Sequence, residues 1–365
     1  MPGTIPAARQ HLIAAIAAKS RTRGAPVPLS PFVQAYYRGV DESDLRDGDA
    51  ATLAAAAAGH LRFGATRRPG RALVRVFNPT VERDGWYSPR TVVQVVTDDM
   101  PFLVDSLAMV LNGSGLSIHT MVHPVFAVRR DRAGRLLEAS SDTAGGTSES
   151  WQHIEVDRST DPARLDHVRE RIEATLEDVR LAVTDWPRMV EHARSAAAAV
   201  TTKVAGIGRA EAVEASAFLD WLADNHFTFL GYREYRLERG ATVDRLVPVA
   251  GSGLGLLRTG PGRPRPQATE LRGEVRRKAR EAALLVVTKA NSVSTVHRAT
   301  YLDYVGVKQF DARGEVTGER RFIGLFTSAT YSASPRSIPL LRHKVQRVID
   351  HFGISPVSHD GKALM

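Results

Sequence analysis

Residues 91–122 read TVVQVVTDDMPFLVDSLAMVLNGSGLSIHTMV, and the order of residue types in this stretch decides the fold. Thr91–Thr97 is almost continuously β-branched and apolar, which predicts a strand buried on both faces. Asp98 and Asp99 are side chains that cap helices, and Pro101 suits a first helical turn. Leu103, Leu107, Val110 and Leu111 then recur on a helical period, and Gly113 and Gly115 end the helix. Leu116, Ile118, Thr120 and Val122 alternate as a second strand, which continues through Val128.

The same arguments extend outward. Upstream, residues 71–79 alternate apolar and basic as a half-exposed strand, and the alanines of 51–58 predict a helix within 42–62. Residues 1–30 read as a weak amphipathic helix around Ile13–Ala18, then a Pro-rich linker marked by Pro26, Pro28 and Pro31. Downstream, 132–149 is polar and rich in Gly, Ser and Thr, a loop, and 151–157 is a strand. Leu165, Val168, Ile172, Leu176, Val179 and Val183 mark a helix over 161–183. Residues 70–184 therefore read β-β-α-β-β-α.

A helical connector over 185–226 follows, its first helix starting at Asp185 and Pro187, its second running over 210–226. Strands are predicted at 227–237, 245–249, 284–289, 301–310 and 318–327, interrupted by a Gly/Pro/Arg segment at 251–268. Ser334 and Pro335 open a last helix with Ile338, Leu341, Val345, Val348 and Phe352 on one face. The fold class is α+β: two sandwiches of helix on mainly antiparallel sheet, joined by helices. The divisions are 1–69 (helical and linker), 70–184 (first domain), 185–226 (connector) and 227–365 (second domain). Asp360–Met365 reads as a helix just beginning, so the chain is expected to be a fragment of a longer protein.

Composition removes several chemistries. The 365 residues include no cysteine, which excludes disulfides, thiolate zinc sites, iron–sulfur clusters and a thiol nucleophile. No apolar run approaches the ~18 residues of a membrane span. The net charge is +9, of which eight basic residues against Glu270 and Glu274 between Arg258 and Arg280 supply +6. Such a run is a nucleic-acid footprint when it forms a face, and a solvated loop or intramolecular contact when it does not.

Gly251-Ser252-Gly253-Leu254-Gly255 lacks the third glycine of a dinucleotide fingerprint, since Leu256 stands there, and reads as a flexible loop. His119 and His123 lie four apart, but on a strand that separates them by ~13 Å, so they share no metal ion. Lys289, Asn291, Ser292, His297 and Arg298 form a dense polar cluster. It serves either to bind a small anion or amino acid or as a hydrogen-bonded turn between strands.

The segment Thr97–Ser106, with the strand from Gly115, resembles the ACT domain, a small βαββαβ regulatory module whose first strand–helix loop holds amino-acid effectors. The resemblance implies Asp98, Asp99, Met100, Pro101, Phe102 and Leu103 as effector-binding candidates, with an acid for the ammonium and helix-start amides for the carboxylate. Phe102 replaces the glycine usual in that loop, so the alternative is a pocket filled by its ring and used for packing.

Over longer stretches the chain resembles the N-terminal region of the large bacterial NAD-dependent glutamate dehydrogenases. The matching residues are Asp98–Arg130 (DDMPFLVDSLAMVLNGSGLSIHTMVHPVFAVRR), Ala215–Tyr232 (ASAFLDWLADNHFTFLGY), Tyr301–Thr327 (YLDYVGVKQFDARGEVTGERRFIGLFT), Ser334–Lys344 and Ser358–Leu364. The resemblance implies two ACT-like domains and a cytoplasmic homo-oligomer, a tetramer in the whole enzyme. It also implies a downstream catalytic region that carries NAD and the substrate lysine. No catalytic residue, metal or cofactor is then expected in these 365 residues. Their role is effector sensing or, without a ligand, structural assembly, with nucleic-acid binding through Arg258–Arg280 as a third class.

Overall fold

The strand β2 (Thr91–Asp98) is buried over Thr91–Thr97, as its unbroken apolar run requires. The computed structural model describes residues 7–20, 25–46, 48–141, 146–200, 206–353, 355 and 357–359. The chain divides into two compact units: Met1–Arg180 with Val296–Arg298, and Leu181–Thr295 with Ala299–Met365.

The first unit opens with α1 (Ala7–Ala18), α2 (Leu29–Tyr36), α3 (Glu42–Arg46) and α4 (Ala50–Phe63). Then come β1 (Leu73–Phe77), α5 (Val81–Asp84), β2, α6 (Leu103–Asn112), β3 (Ile118–Val122), β4 (Val125–Arg130), β5 (Leu136–Ser140) and β6 (Thr147–Val156). The sheet order is β1-β2-β6-β4-β5, with β3 also on β6, and every pairing is antiparallel. Ile13, Ile16, Phe32, Val33, Tyr36 and Leu61 from the leading helices share one core with Val96, Phe126 and Trp151 of the sheet. Phe32 stacks on Phe126 at 4.8 Å, and Trp151 meets both rings edge-on. Gly64 ends α4 against that indole, where a Cβ would stand 2.2 Å from the Trp151 ring.

Helix α7 (Pro162–Val200) runs from the first unit into the second. In the second unit it is followed by α8 (Arg209–Trp221) and a π-helical turn (Leu222–His226). The strands are β7 (Phe227–Glu238), β8 (Asp244–Pro248), β9 (Leu254–Gly255), β10 (Thr269–Leu271), β11 (Leu285–Val293), β12 (Tyr301–Phe310) and β13 (Val316–Phe326). The helices α9 (Gly273–Arg280), α10 (Ser328–Ser332) and α11 (Leu341–Phe352) complete it. The order is β10-β8-β7-β13-β12-β11, with β9 on β7, again antiparallel. Met189, Ala193, Ala197, Phe218 and Leu219 bury against Phe229, Tyr232, Val305 and Phe322. The α+β class with two antiparallel sheets is as the sequence predicts.

Four local expectations are corrected. The segment 132–149 is not all loop: β5 and the start of β6 form there, with Leu136 buried. The strand predicted to run through Val128 breaks at His123-Pro124, because proline has no N–H for the ladder, and β3 and β4 each pair with β6. No helix starts at Asp185. α7 continues through Pro187, whose cost of ~3 kcal/mol is offset by burying Met189, Val190, Ala193, Ala196 and Ala197, at ~1.5–3 kcal/mol for each of the two larger side chains. The last helix begins at Leu341 rather than at Ser334, because Leu340 is held in a left-handed conformation (φ +67°). The helix start expected at Asp360–Met365 lies outside the described residues.

Candidate functional site

The turn Asp98–Leu103 joins β2 to α6, and its geometry is set from below by buried charge. Asp98 ends β2, where its carboxylate accepts from Arg67 Nη2 and, at 3.1 Å, from the backbone N of Gly70. Arg67 is 2% exposed and also donates to Glu149 Oε1 from Nε (3.1 Å) and Nη2 (2.7 Å). Arg130 closes on both oxygens of Glu149 at 2.7 and 2.8 Å, and Trp151 Nε1 donates to it at 3.2 Å. Two guanidiniums thus face two carboxylates, which is what burial of charge demands. Burial opposes the charge of Arg67, but its bonds to Asp98 and Glu149 outweigh that and raise its pKa.

Asp98 and Asp99 do not cap α6, contrary to the sequence expectation. The residue before the helix is Phe102, at φ +72°, and no side chain bonds to the first-turn amides there. The left-handed conformation needed at this position favours glycine, the residue usual in ACT loops. Asp99 and Pro101 are exposed, Met100 and Phe102 half-buried, and Leu103 buried. The backbone N of Asp99 donates to Ser148 O at 2.9 Å. Nearby, burial lowers the pKa of His123 while Asp99 raises it, and His123 Nε2 lies 2.8 Å from Ser150 Oγ.

The structure separates the second polar cluster. His297 belongs with the first unit, with its ring 5.0 Å from that of Phe102 and its Nδ1 3.0 Å from Asp105 Oδ2. Its backbone N donates to Ser106 Oγ at 2.9 Å, and Ser106 is buried. The backbone N of Arg298 donates to Val296 O. Lys289 instead lies on β11 and pairs with Asp303 at 2.7 Å, and Asn291 and Ser292 are exposed on the same strand. Arg67, Glu149 and Arg130 went unnoticed in the sequence, since 82 residues separate the Arg67–Glu149 pair and no local pattern marks it.

The remaining motifs find structural partners. His119 binds Asp157 at 2.7 Å, so the two spaced histidines face different partners, and among the described residues no cluster could hold a metal ion. The Gly251–Gly255 stretch is not a free loop: Leu254 and Gly255 pair with β7, and the backbone N of Gly255 donates to buried Asp185. Gly253 lies close against its own chain, where a Cβ would meet Leu257 O at 2.2 Å, and no helix opens directly after the turn to hold a pyrophosphate, so it does not fit a dinucleotide. The basic run is largely paired. Arg258 binds Asp185, Arg276 and Arg280 bind Asp244, Arg272 binds Glu270, and Arg277 and Lys278 meet Glu274.

A family model described as the glutamate dehydrogenase ACT1 domain matches residues 32–172, and one described as glutamate dehydrogenase helical motif 1 matches residues 338–365. The NAD-specific glutamate dehydrogenase of Halomonas elongata is 38% identical over 342 residues, covering 92% of this chain and 21% of that protein. That of Pseudomonas aeruginosa is 38% identical over 294 residues, covering 80% and 18%. That of Mycobacterium tuberculosis is 28% identical over 311 residues, covering 84% and 18%. The chain belongs to the large NAD-specific glutamate dehydrogenase family. It spans about a fifth of the length of these relatives. In this glutamate dehydrogenase family member the ACT1 match begins at Phe32, inside α2, and contains Arg67, Asp98–Leu103 and Glu149. The helical-motif match overlaps α11. Among the described residues no helix is long and apolar enough to cross a membrane.

Proposed function

We propose that this chain is a regulatory and assembly segment of a large glutamate dehydrogenase and holds no catalytic centre of its own. The whole enzyme oxidises L-glutamate with water and NAD to 2-oxoglutarate, ammonium and NADH. It acts as a cytoplasmic homo-oligomer, with substrate and nicotinamide sites in a catalytic region of the same polypeptide. The observation that carries the regulatory role is the ACT1 match, which spans the turn where ACT modules take amino-acid effectors. The uncapped first turn of α6 suits a carboxylate, and exposed Asp99 suits the ammonium, because Asp98 already serves Arg67 and Gly70.

Calorimetry of the chain against the twenty amino acids tests this. One of them is expected to bind at millimolar concentration or better, and Asp99→Asn to weaken it at least tenfold. Silence from all twenty would remove the sensing role, and glutamate-dependent NADH formation by the purified chain would overturn its non-catalytic assignment. One observation favours a ligand-free assembly arm as the second reading: the Phe102 ring packs on His297 at this turn. The paired arginines of 258–280 leave nucleic-acid binding unsupported, and a low-salt gel shift checks that.

A further inference from the structure

Gly59 lies buried in α4, and the space where its side chain would stand is lined by nitrogen donors. Measured from an ideal Cβ, the three nearest heavy atoms are Trp86 Nε1 at 3.5 Å and Arg62 Nη2 and Arg75 Nη2, each at 3.7 Å. Trp86 is 3% exposed, and its indole N–H has no acceptor. An indole nitrogen only donates, so no rotation or change of protonation relieves it.

The charge around this space is unbalanced. Arg75 donates to two neutral oxygens, Gln94 Oε1 and Gly59 O, and its guanidinium lies over the rings of Phe63 (4.7 Å) and Phe77 (4.3 Å). Among the described residues no carboxylate forms an ion pair with Arg75 or Arg62. Burial brings the pKa of Arg75 down to about 10, and Arg62 and Arg83 press it the same way against Asp84 and Tyr36. The carboxylate of Asp84 is already taken, by Arg83 Nε at 3.0 Å and the backbone N of Thr80 at 2.9 Å. Arg62 is exposed, so one of the three lining residues is itself in contact with solvent.

We propose that Gly59, Arg62, Arg75 and Trp86 form a binding site for one oxyanion group, a carboxylate or phosphate of a small ligand. The missing side chain of Gly59 provides room for an oxygen, the indole N–H donates to it, and the Arg62 guanidinium supplies charge-assisted bonds, while Arg75, whose Nε and Nη2 hydrogens are taken by Gln94 Oε1 and Gly59 O, contributes its charge. A partly buried position makes those bonds stronger than they would be in water. The site is built wholly within the first unit and does not depend on the regulatory role assigned to Asp98–Leu103.

The test is the thermal midpoint of the 365-residue chain in phosphate, in acetate and in chloride at equal ionic strength. Phosphate, acetate or both are expected to raise it saturably above chloride, and which one does so tells a phosphate site from a carboxylate site. Gly59→Ala is the informative variant. Its methyl fits at ordinary contact distance and favours the helix, yet it fills the space, so the apparent affinity should fall at least tenfold without loss of folding. Trp86→Phe should do the same. It also assigns the Trp86 indole N–H resonance, which should move on phosphate or acetate titration of the wild type. No rise above chloride with either anion, or an equal rise in the wild type and Gly59→Ala, would overturn the site.

Discussion

Phe102 and His297 both hold left-handed backbone conformations, φ +72° and +71°, and their rings lie 5.0 Å apart. Each costs an L-residue ~1–2 kcal/mol relative to its ordinary backbone. The contacts that fix His297 are those to Ser106 and Asp105, both in the first turns of α6. The strain at the start of the helix and the strain of the residue packed on it therefore belong to one local arrangement, at the turn proposed above to take an effector.

The strain at Phe102 can be measured by reversing the usual order of two substitutions. Phe102→Ala and Phe102→Gly both remove the ring contact, but only glycine adopts φ +72° without penalty. In an ordinary turn or helix alanine is the more stabilising residue. Here Phe102→Gly should be more stable than Phe102→Ala by about 1 kcal/mol in urea unfolding. If alanine proves equal or better, the conformation assigned to Phe102 is wrong.

The acids beneath the turn should differ sharply in what their loss costs. Glu149 is fully buried between Arg67 and Arg130, whereas the Asp98 side chain is 29% exposed. Glu149→Gln leaves Arg130 without a carboxylate and Arg67 with Asp98 alone, a change of ~3–5 kcal/mol. Asp98→Asn leaves Arg67 its bonds to Glu149, so the loss should be roughly half of that or less. Chemical denaturation of the two variants under one buffer condition ranks them, and equal losses would mean that Glu149 does not carry the cluster.

What the sequence made legible here is what is local. The β2–turn–α6 order can be read because a buried strand, a proline and a helical period each leave a pattern within a few residues. The sheet partners and the salt-bridge cluster cannot, because Arg67, Asp98 and Glu149 are separated by tens of residues and nothing near any of them specifies the others. The error over 132–149 has the same origin. Its polar residues suit a loop, and only pairing with β4 makes β5 and the start of β6 into strands. Likewise Leu340, which delays the last helix, is an unremarkable residue whose left-handed conformation is set by a distant contact rather than by its own type.

Histidine burial predicts a pH dependence near neutrality. His60 is fully buried, its Nδ1 2.8 Å from Tyr36 Oη, and burial pushes its pKa well below the ordinary value, with His153 and Arg75 adding to the shift. The unfolded chain takes up the proton near pH 6.5 and the folded chain does not. The stability from neutral His60 is thus complete above that pH and is lost as pH falls below it, by up to ~1.4 kcal/mol per pH unit. His60→Gln should be less stable than the wild type at pH 7.5, and the difference should narrow towards pH 5.5. A difference constant across that range would show that His60 titrates in the folded chain as it does unfolded.

Acid should act on the second unit through Glu214. Its carboxylate accepts from Arg342 Nε at 3.1 and 3.0 Å and from the backbone N of Leu340 at 3.0 Å, with His343 Nε2 3.3 Å away. The Arg342 bond foremost, against burial, lowers its pKa to about 2. A lowered carboxylate pKa stabilises the fold fully above the unfolded value of ~4.3 and progressively less as pH falls towards 2. Because the same carboxylate holds left-handed Leu340 at the start of α11, the loss should be local as well as global. Glu214→Gln should increase hydrogen exchange in the first turn of α11 at pH 6, where the wild type is anchored. At pH 3 the wild type has lost part of that anchor, and the two proteins should differ less. An unchanged exchange rate in α11 at pH 6 would mean that Glu214 does not fix the helix start, whatever its bond to Arg342.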